Sequence, residues 1–62
     1  MDTKKIGAFL QQFRKEKNLT QEQLAEKFGV SARTVSRWET GTNMPDLSVL
    51  VELAEYYDIE IR

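Results

Sequence analysis

Arg33 and Arg37 stand four residues apart in the run Ser31-Ala32-Arg33-Thr34-Val35-Ser36-Arg37, which carries hydroxyls between them and no acid. On a helix that spacing puts both guanidinium groups on one face, a turn apart. A guanidinium is a planar fork of N–H donors that stays charged at any physiological pH. It suits paired acceptors such as a phosphate or the O6/N7 edge of guanine. The short hydroxyls beside it can donate or accept. This is the chemistry of reversible binding. Bond-making chemistry lacks its usual residues: the chain has no His and no Cys, and its Asp and Glu show no pairing suited to acid–base work or metal ligation. With 62 residues there is also little room for a substrate cavity. An enzyme is the poorest function class here, and no cofactor or metal is expected.

The elements that must hold the run in place are legible on either side of it. Thr20 is suited to cap a helix over about Gln21 to Phe28, with Gln23 three residues on as its reciprocal partner. Ser31 is suited to cap the next helix, over about Ala32 to Thr40. Between them lies Phe28-Gly29-Val30, where Gly29 can take the left-handed conformation that ends a helix. Two short helices joined by so tight a corner cross steeply. That is a helix-turn-helix, whose second helix can enter the major groove of DNA. Leu24, Ala25 and Phe28 face inward from the first of the pair, and the small Ala25 suits a close helix crossing. Val35 and Trp38 face inward from the second, Val30 pins the corner, and Gly41 ends the second helix.

Ahead of the corner, Asp2 or Thr3 caps a helix whose apolar stripe is Ile6, Leu10 and Phe13, with Phe9 at its edge. Asn18 suits a left-handed helix end, and Leu19 forms a hydrophobic staple with the Gln23–Leu24 segment. Behind the corner, Thr42, Asn43 and Met44 form a loop closed by Pro45. Asp46 caps a fourth helix to about Tyr57, with Leu47, Leu50, Val51, Leu53 and Ala54 apolar. So broad an arc is expected to pack on several neighbours. Tyr56 and Tyr57 read as packing or dimer contacts. The stretch from Asp58 to Arg62 reads as a further helix stopped after one turn, so the chain is expected to be a piece of a longer protein.

Sixty-two residues allow one domain, and with no disulfide available it must rely on helix packing. The net charge of −1 conceals an asymmetry: residues 1–40 hold eight Lys/Arg against five Asp/Glu, and residues 41–62 hold one Arg against five acids. The positive end carries the corner, where an anionic partner would need it. No stretch reads as a membrane span or a signal peptide, so no membrane contact is expected and a cytoplasmic setting fits best.

In order and at matching spacing, several blocks of this chain resemble the phage repressor/Cro-type helix-turn-helix family, also called the Xre family. They are Arg14-Lys15-Glu16-Lys17-Asn18-Leu19-Thr20-Gln21, Leu24-Ala25, Gly29-Val30-Ser31, Val35-Ser36-Arg37-Trp38-Glu39-Thr40-Gly41, Pro45-Asp46-Leu47 and Leu53-Ala54. The resemblance covers nearly the whole chain. It implies an all-α, compact four- to five-helix bundle of the lambda-repressor type, here with its fifth helix truncated, as the N-terminal part of a longer regulator. It also implies residue roles. Ser31, Ala32, Arg33, Ser36 and Arg37 would face base edges. Gln21, Thr34, Thr42 and Asn43 would meet phosphates, the last two weakly because their loop lacks Lys and Arg. Arg14 and Glu39 would form a partly buried ion pair. Ala32 departs from relatives with a long polar residue there and can offer only a methyl group to thymine. Relatives commonly bind pseudo-palindromic operators as homodimers.

Two function classes follow. The leading one is sequence-specific binding of double-stranded DNA by a bacterial or phage transcriptional regulator. The alternative is a helical protein-interaction or dimerisation module without DNA, motivated by the net charge and the acidic residues 46–60.

Overall fold

The computed structural model describes residues 2–58, and Met1 and residues 59–62 lie outside that part. The described chain is four helices: α1 (Thr3–Glu16), α2 (Gln21–Phe28), α3 (Ala32–Thr40) and α4 (Leu47–Tyr57).

Each helix start is set by one side chain that takes up backbone N–H groups with no partner inside the helix. Of the two candidates for α1, Asp2 is the cap, accepting from the backbone N–H of Lys4 and Lys5. Thr20 and Gln23 close a reciprocal capping box on α2, with bonds of 3.1 and 2.9 Å. Ser31 Oγ accepts from Thr34 N–H at 3.1 Å, and Asp46 accepts from Val49 N–H at 3.4 Å.

The helix ends share one device, a residue in the left-handed region: Asn18 after α1, Gly29 after α2, Gly41 after α3 and Asp58 after α4. Asn and Asp tolerate that region better than other side chains do. After α1 the geometry is a Schellman turn, in which Leu19 N–H donates to Arg14 C=O and Asn18 N–H to Lys15 C=O. Asp58 therefore terminates α4 instead of opening a new helix. The remainder of the expected fifth helix falls outside the described residues.

The core is built from Leu10, Leu24, Ala25, Val35, Trp38, Leu53 and Tyr57, with Val35 fully shielded from water. Ile6, Phe13, Leu19, Phe28, Val30, Ala32, Val49 and Tyr56 pack around it, half-buried. α1 and α3 approach closely at Gly7. A Cβ there would stand 2.5 Å from the carbonyl oxygen of Trp38 and 2.6 Å from that of Glu39. The backbone of α1 thus rests directly on the last turn of α3. Gly41 continues the contact, since a Cβ there would meet Lys4 backbone at 2.9 Å.

α4 buries less than its sequence promises. Leu53, Ala54 and Tyr57 face the core, but Leu47 is 77% exposed and Val51 42%. The apolar arc of α4 is broader than the surface its neighbours cover, so its outer edge stays in water.

Candidate nucleic-acid interface

A polar hub fixes the helix pair on α1. Glu39, on the buried side of α3, receives Arg14 Nε at 2.7 Å on one carboxylate oxygen and Arg14 NH2 at 3.1 Å on the other. Arg14 spends its remaining terminal nitrogen, NH1, on the carbonyl of Leu19 at 2.7 Å. Both side chains are nearly inaccessible to water. The hydrogen bonds to Glu39 raise the pKa of Arg14 against the opposing effect of burial, so the guanidinium stays charged. Tyr57 sits close enough to feel both charges, and its hydroxyl has no partner among the described residues. Burial first, and the Glu39 charge second, push the Tyr57 pKa up to about 12.

The outward side of α3 has a different character. Arg33 and Arg37 are exposed one turn apart, and among the described residues neither forms an ion pair. Ser31 is exposed at the helix start, and its hydroxyl shares a 2.9 Å hydrogen bond with that of Thr34. That bond fixes both hydroxyls as one unit. Ser36 is half-buried. Ala32 is half-buried against the core, because it lies one turn before Val35 and follows it inward. Part of its methyl group stays accessible beside the free face.

Gln21 opens α2, half-buried, and its side chain turns toward the hub: Nε2 donates to Glu39 Oε1 at 3.0 Å. This bond was not foreseen from sequence, and nothing short of the α2–α3 angle could have revealed it. Thr42 and Asn43 are exposed in the loop after α3. Their backbone N–H groups both converge on the carbonyl of Arg37, at 3.0 and 3.3 Å, and the Thr42 hydroxyl pairs with that of Thr40 at 2.9 Å. The loop is thereby latched to the helix turn that carries Arg37.

The structure brings together Arg14, Gln21 and Glu39 on one side, Ser31 with Thr34 at the start of α3, and Arg37 with the 42–43 loop at its end. A family profile described as helix-turn-helix matches residues 10–62, which takes in α2, α3 and the corner between them. The chain belongs to the helix-turn-helix family. Among curated members, it is 44% identical over 84% of its length to the HTH-type transcriptional activator BcrR of Enterococcus faecalis, covering 26% of that protein. It is 33% identical over its whole length to the ImmF control region 10 kDa protein of Bacillus phage phi105, covering 69% of it. It is 35% identical over 92% of its length to the cryptic phage CTXphi transcriptional repressor RstR of Vibrio cholerae, covering 51% of it. The chain thus spans from about a quarter to about two thirds of the length of these three relatives. Among the described residues, no helix is long and apolar enough to cross a membrane.

Proposed function

We propose that this chain binds double-stranded DNA sequence-specifically, as the DNA-binding domain of a bacterial or phage transcriptional regulator, with α3 in the major groove. The observation that carries the proposal is the outward face of α3, where Arg33 and Arg37 project one turn apart from a helix whose other side is locked into the core. A guanidinium free of ion pairs is a ready two-donor partner for guanine O6/N7. On this reading Ser31, Arg33, Ser36 and Arg37 meet base edges, and the partly covered Ala32 adds at most a methyl contact. Gln21, Thr34, Thr42 and Asn43 meet phosphates. A homodimer on a pseudo-palindromic operator and a cytoplasmic setting complete the proposal for the parent protein.

The test begins with selection of bound duplexes from a random pool at defined salt. Affinity for the enriched duplex falls as salt rises, with a log–log slope of about −0.9 per phosphate neutralised. Arg37→Ala lowers affinity for that duplex by about 1–3 kcal/mol and relaxes preference at one base pair, with folding unchanged. An NMR titration in which no amide from Ser31 to Arg37 moves would overturn the proposal.

A second reading has one observation in its favour: Leu47 and Val51 stand exposed on α4. A protein-interaction module using that edge would self-associate independently of salt and retain no duplex in the selection.

A further inference from the structure

The buried ion pair does more than tie α1 to α3, because its carboxylate also holds the side chain of Gln21. Glu39 Oε1 accepts two hydrogen bonds, from Arg14 NH2 at 3.1 Å and from Gln21 Nε2 at 3.0 Å. A carboxylate only accepts, so the Gln21 amide has one permitted orientation, with its NH2 group toward Glu39. The reverse orientation would set two acceptors against each other. Arg14 in turn prevents Glu39 from swinging, since both carboxylate oxygens are engaged by the same guanidinium, which is itself anchored on the Leu19 carbonyl at 2.7 Å. An amide NH2 has two hydrogens. One is committed to Glu39, and among the described residues nothing accepts the other.

We propose that Glu39 is a positioning residue for DNA binding: through Gln21 it aims one fixed N–H donor at a backbone phosphate beside α2. This inference rests on the DNA-binding reading above. It adds that the phosphate contact is prearranged from inside the protein. A fixed donor loses little side-chain freedom on binding, which is the general advantage of preorganisation. It also sets the register of α3, because the same carboxylate belongs to α3 and holds the residue that grips the backbone.

The test uses the duplex enriched by selection, with Gln21→Leu, Gln21→Asn and Gln21→Glu, each checked for unchanged folding by circular dichroism. Gln21→Leu loses about tenfold in affinity, the typical worth of a hydrogen bond to a charged group. Its salt slope stays the same, because no charge is removed. Gln21→Asn keeps the amide but is one methylene too short to span Glu39 and a phosphate together, so it matches Gln21→Leu. Gln21→Glu replaces the donor by an acceptor facing Glu39 from α3 and the phosphate, with Arg14 from α1 and Tyr57 from α4 the other ionisable groups at the hub. The two like charges raise the new carboxyl above its usual value of about 4.3, and Arg14 offsets part of that. Protonation restores a donor, so affinity of this variant recovers as pH falls from 8 to 5. The parent chain has no His and stays flat over the upper part of that range.

Full binding by Gln21→Asn, or a pH-flat Gln21→Glu, overturns the positioning role while leaving the DNA-binding reading intact. Failure of the parent chain to retain any duplex overturns both.

Discussion

At the junction of α1, α2 and α3, the side chains of Arg14, Gln21 and Glu39 and the carbonyl of Leu19 meet through hydrogen bonds of 2.7 to 3.1 Å. α4 joins the same core through Leu53, Ala54 and Tyr57, and among the described residues its side-chain hydrogen bonds stop at its own cap. Apolar burial is non-directional and tolerates small slides, whereas a hydrogen-bonded carboxylate fixes an angle. The angle that matters is the one between α2 and α3, which decides where Arg33 and Arg37 point. Directional bonds are found where recognition is proposed, and α4 supplies burial without them.

The largest expected effect breaks the directional side. Arg14→Met leaves Glu39 charged and unpaired in the interior, at a cost of about 3–5 kcal/mol. A domain this size has a stability of the same order, so the variant is expected to be mostly unfolded at room temperature. Pairing it with Glu39→Leu removes the stranded charge and restores most of the stability. Urea titrations followed by circular dichroism give both numbers. A small loss in the single variant would mean that the carboxylate reaches water, and the contrast with α4 would disappear.

Next in size is Gly7→Ala. Alanine is favoured over glycine inside a helix by about 1 kcal/mol, so propensity alone predicts a gain. The built Cβ would instead lie 2.5 Å from a backbone carbonyl that cannot rotate away, and overpacking of that kind costs about 1–3 kcal/mol. The sign of the change in denaturation midpoint decides between the two. Gly29→Ala is the control. Its Cβ has open space within 4 Å, so any loss comes only from the left-handed backbone.

Gly7 also marks the border of what the sequence revealed. Caps, left-handed ends and the bounds of α2 and α3 were legible because each obeys a rule spanning three or four residues, as with Thr20 and Gln23 or Ser31 and Thr34. A glycine inside a helical pattern says that something comes close without saying what. The partner, the end of α3, lies some thirty residues away. The Gln21–Glu39 bond was hidden for the same reason. The Arg14–Glu39 pairing was anticipated by family resemblance, which carries long-range information that spacing does not. The broad apolar arc of α4 suggested packing on several neighbours, yet Leu47 and Val51 stay exposed, since an apolar residue on a helix shows how much surface is available for burial and not how much a neighbour covers.

Tyr57 lies where the two kinds of contact meet, and its effect is conditional on pH. Its pKa is raised to about 12 from an unfolded value near 10, so the folded state holds the phenol proton more tightly. That contribution is complete below pH 10 and is lost as pH rises toward 12. Tyr57→Phe removes this decline. At neutral pH it is nearly neutral or slightly stabilising, because the hydroxyl it deletes has no partner among the described residues. Stability of parent and variant measured at pH 7, 10 and 11.5 tests the sign. Parallel curves would show that the phenol is solvated.

The smallest effect belongs to the outer edge of α4. Leu47 is 77% exposed, so Leu47→Lys removes little apolar surface from any buried contact and changes stability by less than about 0.5 kcal/mol. A larger loss would mean that the side chain is covered in solution. That cover would have to come from another molecule or from a segment outside residues 2–58. Concentration separates these cases: a melting temperature that rises with protein concentration for the parent chain and not for Leu47→Lys identifies self-association through α4. A large loss with no concentration dependence identifies an intramolecular cover. In the first case α4 would acquire a specificity of its own, reached through apolar surface left bare where the other helices use a buried charge.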